Sequence, residues 1–76
     1  MFNKKEKVII KIEGMKCEHC AKKVEEVLLK NKNVKKVKVF LEEKEALITF
    51  NGELDKESII HDIEELDYKV LGFKEV

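Results

Sequence analysis

Seventy-six residues make one small domain with little core to spare, so most of the 43% apolar residues have to be structural. Sixteen lysines balance sixteen acidic residues, and arginine and tryptophan are both absent. The chain therefore lacks a net field for nucleic acid or an acidic membrane, and lacks the bidentate donor that phosphate and guanine recognition favours.

The chain opens Met1-Phe2-Asn3-Lys4-Lys5-Glu6-Lys7 and runs into Val8-Ile9-Ile10-Lys11-Ile12. That apolar run is too short for a signal-peptide core or a membrane helix, so a cytoplasmic protein without direct membrane insertion is expected. The starting Met1 and the charged ends favour a free protein over an excised module. Val8, Ile10 and Ile12 alternate with Lys7, Ile9 and Lys11, which is the period of a strand. Gly14 breaks it.

From Glu18 to about Asn31 the apolar residues Cys20, Ala21, Val24, Val27 and Leu28 fall on one helical face. Lys22, Lys23, Glu25 and Glu26 fall on the other. Asn31-Lys32-Asn33 is expected to end the helix, with asparagine in the left-handed closing conformation. Val37, Val39 and Leu41 alternate with Lys36, Lys38 and Phe40 as a second strand. Glu42-Glu43-Lys44 reads as a turn, and Ala46 to Phe50 as a third strand. Asn51-Gly52 breaks the chain and Asp55 is a good N-cap for a second helix, whose stripe is Ile59, Ile63 and Leu66. Lys69 to Lys74 is a last strand, with Gly72 marking a bulge or a close approach.

The order β-α-β-β-α-β, with right-handed crossovers, predicts an α+β, ferredoxin-like sandwich spanning 1–76 as one domain. It would be a four-stranded antiparallel sheet with both helices on one face and the lysine-studded face open to water. In that topology the Gly14–Cys17 loop, the Glu42–Lys44 turn and the Asp67–Lys69 turn meet at one end, which brings Tyr68 near the cysteines.

The two cysteines lie in Gly14-Met15-Lys16-Cys17-Glu18-His19-Cys20, at the first strand-to-helix junction. A helix N-terminus has unpaired N–H groups and a partial positive charge, so both cysteines are expected to be more acidic than a free thiol. In a reducing compartment such a pair reads as a metal or redox site before it reads as a disulfide. Thiolates select soft metals, Cu(I) first, with Zn(II), Cd(II) and Hg(II) as competitors. Two sulfurs suit two-coordinate Cu(I) or Hg(II), whereas a closed zinc site takes four ligands and this sequence offers two plus at most one nearby histidine. An exposed, under-coordinated site also suits a metal that is passed on.

With these residues in view, the chain resembles the heavy-metal-associated domains, the small copper chaperones and the N-terminal modules of copper-transporting P-type ATPases. The signature Gly-Met-x-Cys-x-x-Cys is met by Gly14, Met15, Cys17 and Cys20, and the resemblance covers essentially the whole chain. It implies that Cys17 and Cys20 bind Cu(I) and hand it by ligand exchange to the equivalent pair of a P-type ATPase or its metal-binding domain. Asn33 and Asp67 stand where that family often has glycine, and both residue types tolerate the turn conformation.

Met15 is either a thioether ligand or core, and the resemblance points it inward under the loop. His19 reads as an exposed first-turn side chain, with ligation or thiol tuning as the alternative. In resembling bacterial chaperones a histidine here is common, which makes a metal-bridged dimer of an otherwise monomeric apo protein a second expectation. His61 faces away from Ile59 and Ile63 and is read as a solvent residue. Tyr68 either supports the site beside a sulfur or caps the core beneath the loop. Lys16, Lys22 and Lys23 surround the metal end, either as solvated lysines or as a docking surface for an acidic partner. Lys16 also stands where members of the family directed at zinc, cadmium or lead often carry aspartate.

A small thiol–disulfide oxidoreductase is the competing enzyme reading, but thioredoxin-like catalysis normally relies on a cis-proline and this chain has no proline. A structural zinc domain is disfavoured by the ligand count. No general acid–base pair, phosphate loop or nucleophile elbow is present, so no catalysis is expected.

Overall fold

The computed structural model describes residues 5–75. It contains β1 (Lys5–Glu13), α1 (Glu18–Leu29), β2 (Val34–Phe40), β3 (Glu45–Asn51), α2 (Lys56–Glu64) and β4 (Lys69–Glu75). The strands form one antiparallel sheet in the order β2-β3-β1-β4. Strand period decides which face is covered. Val8, Ile10 and Ile12 of β1 and Ala46, Ile48 and Phe50 of β3 are buried, and they share one parity. Val24 and Leu28 of α1 and Ile59 and Ile63 of α2 join them in one core. α1 packs on β2, α2 on β4, and the helices touch each other, so both lie on the same face. This is the expected ferredoxin-like α+β arrangement.

Three features escape the period-two reading. Val34 and Val37 are both buried although three apart, because the β2–β3 register shifts between Val34 and Lys36 and leaves Lys35 as the extra residue. β2 ends at Phe40, so Leu41 is not part of the alternation; it packs against the core from the turn. On the other edge Lys11 pairs with Gly72 but Ile12 pairs with Val70, so Leu71 is the bulged residue. Gly72 thus marks the bulge, but an added Cβ there would meet nothing within 4 Å, and the close approach is absent.

The helix ends follow capping chemistry with one correction. Asp55 Oδ1 accepts from the Ser58 backbone N–H at 3.1 Å, as its N-cap position requires. α1 does not close through a left-handed asparagine. Its C-cap Lys30 is right-handed, and the Asn31 amide N–H continues the turn onto the Leu28 carbonyl at 3.1 Å. Among the described residues, the left-handed non-glycine residues are Lys44 (φ 58°) and Asp67 (φ 71°), each in a turn at the cysteine end. Asn33 instead ties the opposite end together: its side-chain amide donates to the Glu53 carbonyl, and its own carbonyl accepts from the Asn51 N–H at 3.0 Å.

The three connections converge as expected. The Ile12 N–H donates to the Lys44 carbonyl at 2.9 Å, which closes the β2–β3 turn over the end of β1. Gly14 lies against Tyr68, which brings in the α2–β4 turn.

Candidate metal centre

The site is built from the end of β1 outward. Gly14 has φ +112°, a conformation that L side chains rarely adopt, and a Cβ there would stand 3.0 Å from Tyr68 Cδ1 and 3.5 Å from Tyr68 Cα. Both the turn and the close approach therefore require glycine. The next side chain, Met15, drops into the core and is 5% exposed. This inward anchor fixes the loop, so that Lys16 and Cys17 face solvent.

Cys17 is the N-cap of α1, in extended conformation (φ −153°, ψ 172°), with its side chain making no capping bond. Its carbonyl accepts the first helical bond, from the Ala21 N–H at 3.1 Å. Cys20, on the first turn, is half-buried and packs on the core. The helical spacing brings the sulfurs together: the Cys17 thiol donates to Cys20 Sγ at 3.7 Å. That is far outside a disulfide bond of about 2.05 Å. It is shorter than twice a metal–sulfur bond of about 2.3 Å, so one ion can touch both sulfurs after only side-chain rotation. Both cysteines are free thiols.

The Cys20 thiol is lowered from its ordinary 9.0 to about 7. The largest cause is backbone hydrogen bonding from Lys16. The Tyr68 hydroxyl follows, and Cys17 adds a smaller contribution from its thiol and amide, while burial opposes them. Tyr68 responds in the opposite sense and is raised to about 12, chiefly because its proton is held by Cys20. The loop amides and the tyrosine together stabilise a thiolate at Cys20 near neutral pH.

Tyr68 packs against the core and against Gly14, and its hydroxyl is among the groups that lower the Cys20 thiol. Met15 is core. His19 is exposed, and among the described residues no group of three His, Cys, Asp or Glu side chains is arranged to hold a metal ion. Lys16, Lys22 and Lys23 are exposed around the loop. His61 is exposed and pairs with Glu65, Nε2 to Oε2 3.3 Å, on the far helix. The contribution that residue reading passed over is the Lys16 backbone. Its only trace in the sequence is the glycine two residues before it, which sets the loop's turn.

The site is an open surface. A cavity of about 330 Å³, lined by residues including Val8, Phe50 and Leu54, lies at the other end of β1. No helix among the described residues is long and apolar enough to cross a membrane.

Residues 9–69 match the heavy-metal-associated domain family. The chain is 40% identical over 63 residues to the copper chaperone CopZ of Staphylococcus epidermidis, covering 82% of this chain and 93% of that one. It is 36% identical to copper chaperone CopZ of Enterococcus hirae, over 76% of this chain and 86% of that one. The fold superimposes with a TM-score of 0.79 and 26% identity on the N-terminal domain of a potential copper-translocating P-type ATPase from Bacillus subtilis in its Cu(I)-loaded state. That match covers 95% of this chain and 88% of the other.

Proposed function

The chain belongs to the heavy-metal-associated domain family, and on that premise we propose that residues 1–76 act as one cytoplasmic, non-catalytic module that binds Cu(I) through Cys17 and Cys20 and delivers it to a copper-transporting P-type ATPase. The observation that carries this reading is the sulfur pair: two free thiols 3.7 Å apart at the loop-to-helix junction, with no group of three His, Cys, Asp or Glu arranged to hold a metal ion among the described residues. Two soft donors hold Cu(I) without completing the four-ligand shell that structural zinc takes. Zn(II), Cd(II) and Hg(II) are the competing cargoes.

Transfer follows from the same geometry. Because the loop is open, a partner's thiolate can approach the ion before either cysteine of this chain has left. Each sulfur that arrives then replaces one that departs, and copper stays Cu(I) throughout. Lys16, Lys22 and Lys23 offset the negative charge of a bis-thiolate site and face an acidic partner surface. The apo protein is a monomer, and a metal-bridged dimer with His19 as an added donor is the second expectation.

The test is transfer itself. Isotope-labelled chain loaded with Cu(I) is titrated under anaerobic conditions with the apo N-terminal domain of a copper-transporting P-type ATPase. Resonances of Lys16 to Ala21 are expected to return to their apo positions as the partner gains copper. Copper that stays on this chain at excess partner contradicts delivery.

A further inference from the structure

The neutral net charge conceals two oppositely charged regions. From Glu53 to Asp67 there are seven acidic residues and one lysine. The open face of the sheet carries the reverse. Strand register places Lys36 beside Thr49 and Lys7, and Lys38 beside Leu47, Ile9 and Lys74, all on the side away from the helices. Lys7, Lys36, Lys38 and Lys74 are exposed, and no ion pair among the described residues engages them. Among the described residues, the one ion pair on this face is Lys11 Nζ to Glu45 Oε2, 3.3 Å. Between the lysines lie half-buried Ile9 and Leu47, and Leu47 lines a shallow depression of about 420 Å³ that Lys7, Lys36 and Lys38 border.

We propose that this open sheet face is a second binding surface, which docks the chain on an anionic lipid membrane. The inference does not depend on the copper reading. Charge complementarity carries it, and the kind of charge selects the partner. The cations are all lysine: compact charges on flexible stems that suit a plane of mobile headgroups rather than the fixed, bidentate acceptors that arginine recognises. Its central apolar residues Ile9 and Leu47 are register neighbours of Lys74 and Lys38, whose stems can settle on the headgroup layer. The acidic segment belongs to the helix layer, so the molecule has an electrical asymmetry that orients the sheet towards a negative plane and the acids away from it. The cysteine loop, at the end of β1, then opens sideways along the membrane and stays free.

The experiment is sedimentation of the full apo chain with vesicles of phosphatidylcholine alone or of phosphatidylcholine with phosphatidylserine, at low and high salt. Binding is expected only with phosphatidylserine and is expected to be lost at high salt. Each lysine removed should weaken partitioning about fivefold, so Lys36→Gln/Lys38→Gln should lose about 25-fold. Lys30→Gln/Lys32→Gln makes the same change in net charge off this face and should keep binding. Equal binding to neutral vesicles, retention by K36Q/K38Q, or equal loss in K30Q/K32Q overturns the proposal. Absence of vesicle binding, with polyglutamate binding through the same lysines, overturns it in favour of an acidic protein partner. Circular dichroism of each variant separates a lost surface from a lost fold.

Discussion

A Cβ on Gly14 would stand 3.0 Å from Cδ1 of Tyr68, so the first connection of the chain and the last pack directly against each other. This contact lets a residue from the second half of the sequence act on a sulfur in the first. Gly14→Ala must both hold φ near +112° and displace the tyrosine ring. The expected cost is about 1–3 kcal/mol, read from the urea midpoint of the apo protein. An unchanged midpoint would mean that the loop relaxes freely and does not position Tyr68.

Removing the Tyr68 hydroxyl isolates its electrostatic role. In Tyr68→Phe the Cys20 pKa should rise from about 7 towards its ordinary 9.0, since one of the groups that stabilise the thiolate is gone. The pH profile of iodoacetamide alkylation at Cys20 measures it. The ring remains in the core, so the melting temperature should move little. A profile that does not shift would leave Tyr68 with a packing role alone.

The same groups set the pH dependence of folding under reducing conditions. Cys20 has a folded pKa of about 7, below its ordinary 9.0, so its contribution is complete above 9.0 and is lost as pH falls through about 7. Tyr68 is raised from 10.0 to about 12, so its contribution is complete below 10.0 and is lost as pH rises through about 12. Denaturation midpoints of the wild type, compared with Cys20→Ser and Tyr68→Phe, should therefore diverge in these two windows. Parallel curves throughout would contradict both assignments.

Met15 separates a ligand from a core residue. At 5% exposure within the apolar cluster, Met15→Ala should cost about 2–5 kcal/mol in stability. Met15→Leu keeps the volume and should leave Cu(I) affinity nearly unchanged. A large affinity loss in M15L with a normal melting temperature would make the thioether a ligand.

Lys44 holds φ 58° while its carbonyl accepts the Ile12 N–H. Lys44→Gly relieves a left-handed side chain without removing that bond and should gain up to about 1 kcal/mol. A loss in thermal unfolding would show that the lysine side chain has a stabilising contact of its own.

Much of this was legible because the relevant signals are periodic or local. The alternation of Val8, Ile10 and Ile12 and the stripe of Val24 and Leu28 mark their own buried faces, and Asp55 marks its own cap. The bulges at Lys35 and Leu71 were hidden, because an inserted residue is defined by the partner strand and not by its own neighbours. The end of α1 departs from the sequence expectation for a related reason. Asn31 permits a left-handed close, but the chain continues right-handed into the turn that leads to Val34. At the site, the cysteines and the proximity of Tyr68 followed from motif and topology. The Lys16 backbone did not, since an amide leaves no residue type to read. The lysine-studded open face followed from strand alternation, but its separation from the acids of Glu53 to Asp67 did not, because net charge sums over surfaces that the fold separates.

The central claim is that Cys17 and Cys20 form a Cu(I) site. It is tested most directly by anaerobic competition of the fully reduced chain against a calibrated Cu(I) chelator, with zinc in parallel and Cys17→Ser/Cys20→Ser as the control. The account predicts uptake of one Cu(I) from a strong chelator, weak zinc binding, and no Cu(I) uptake by the folded double variant. Tight zinc with feeble Cu(I), or undiminished Cu(I) binding by the double variant, would contradict it.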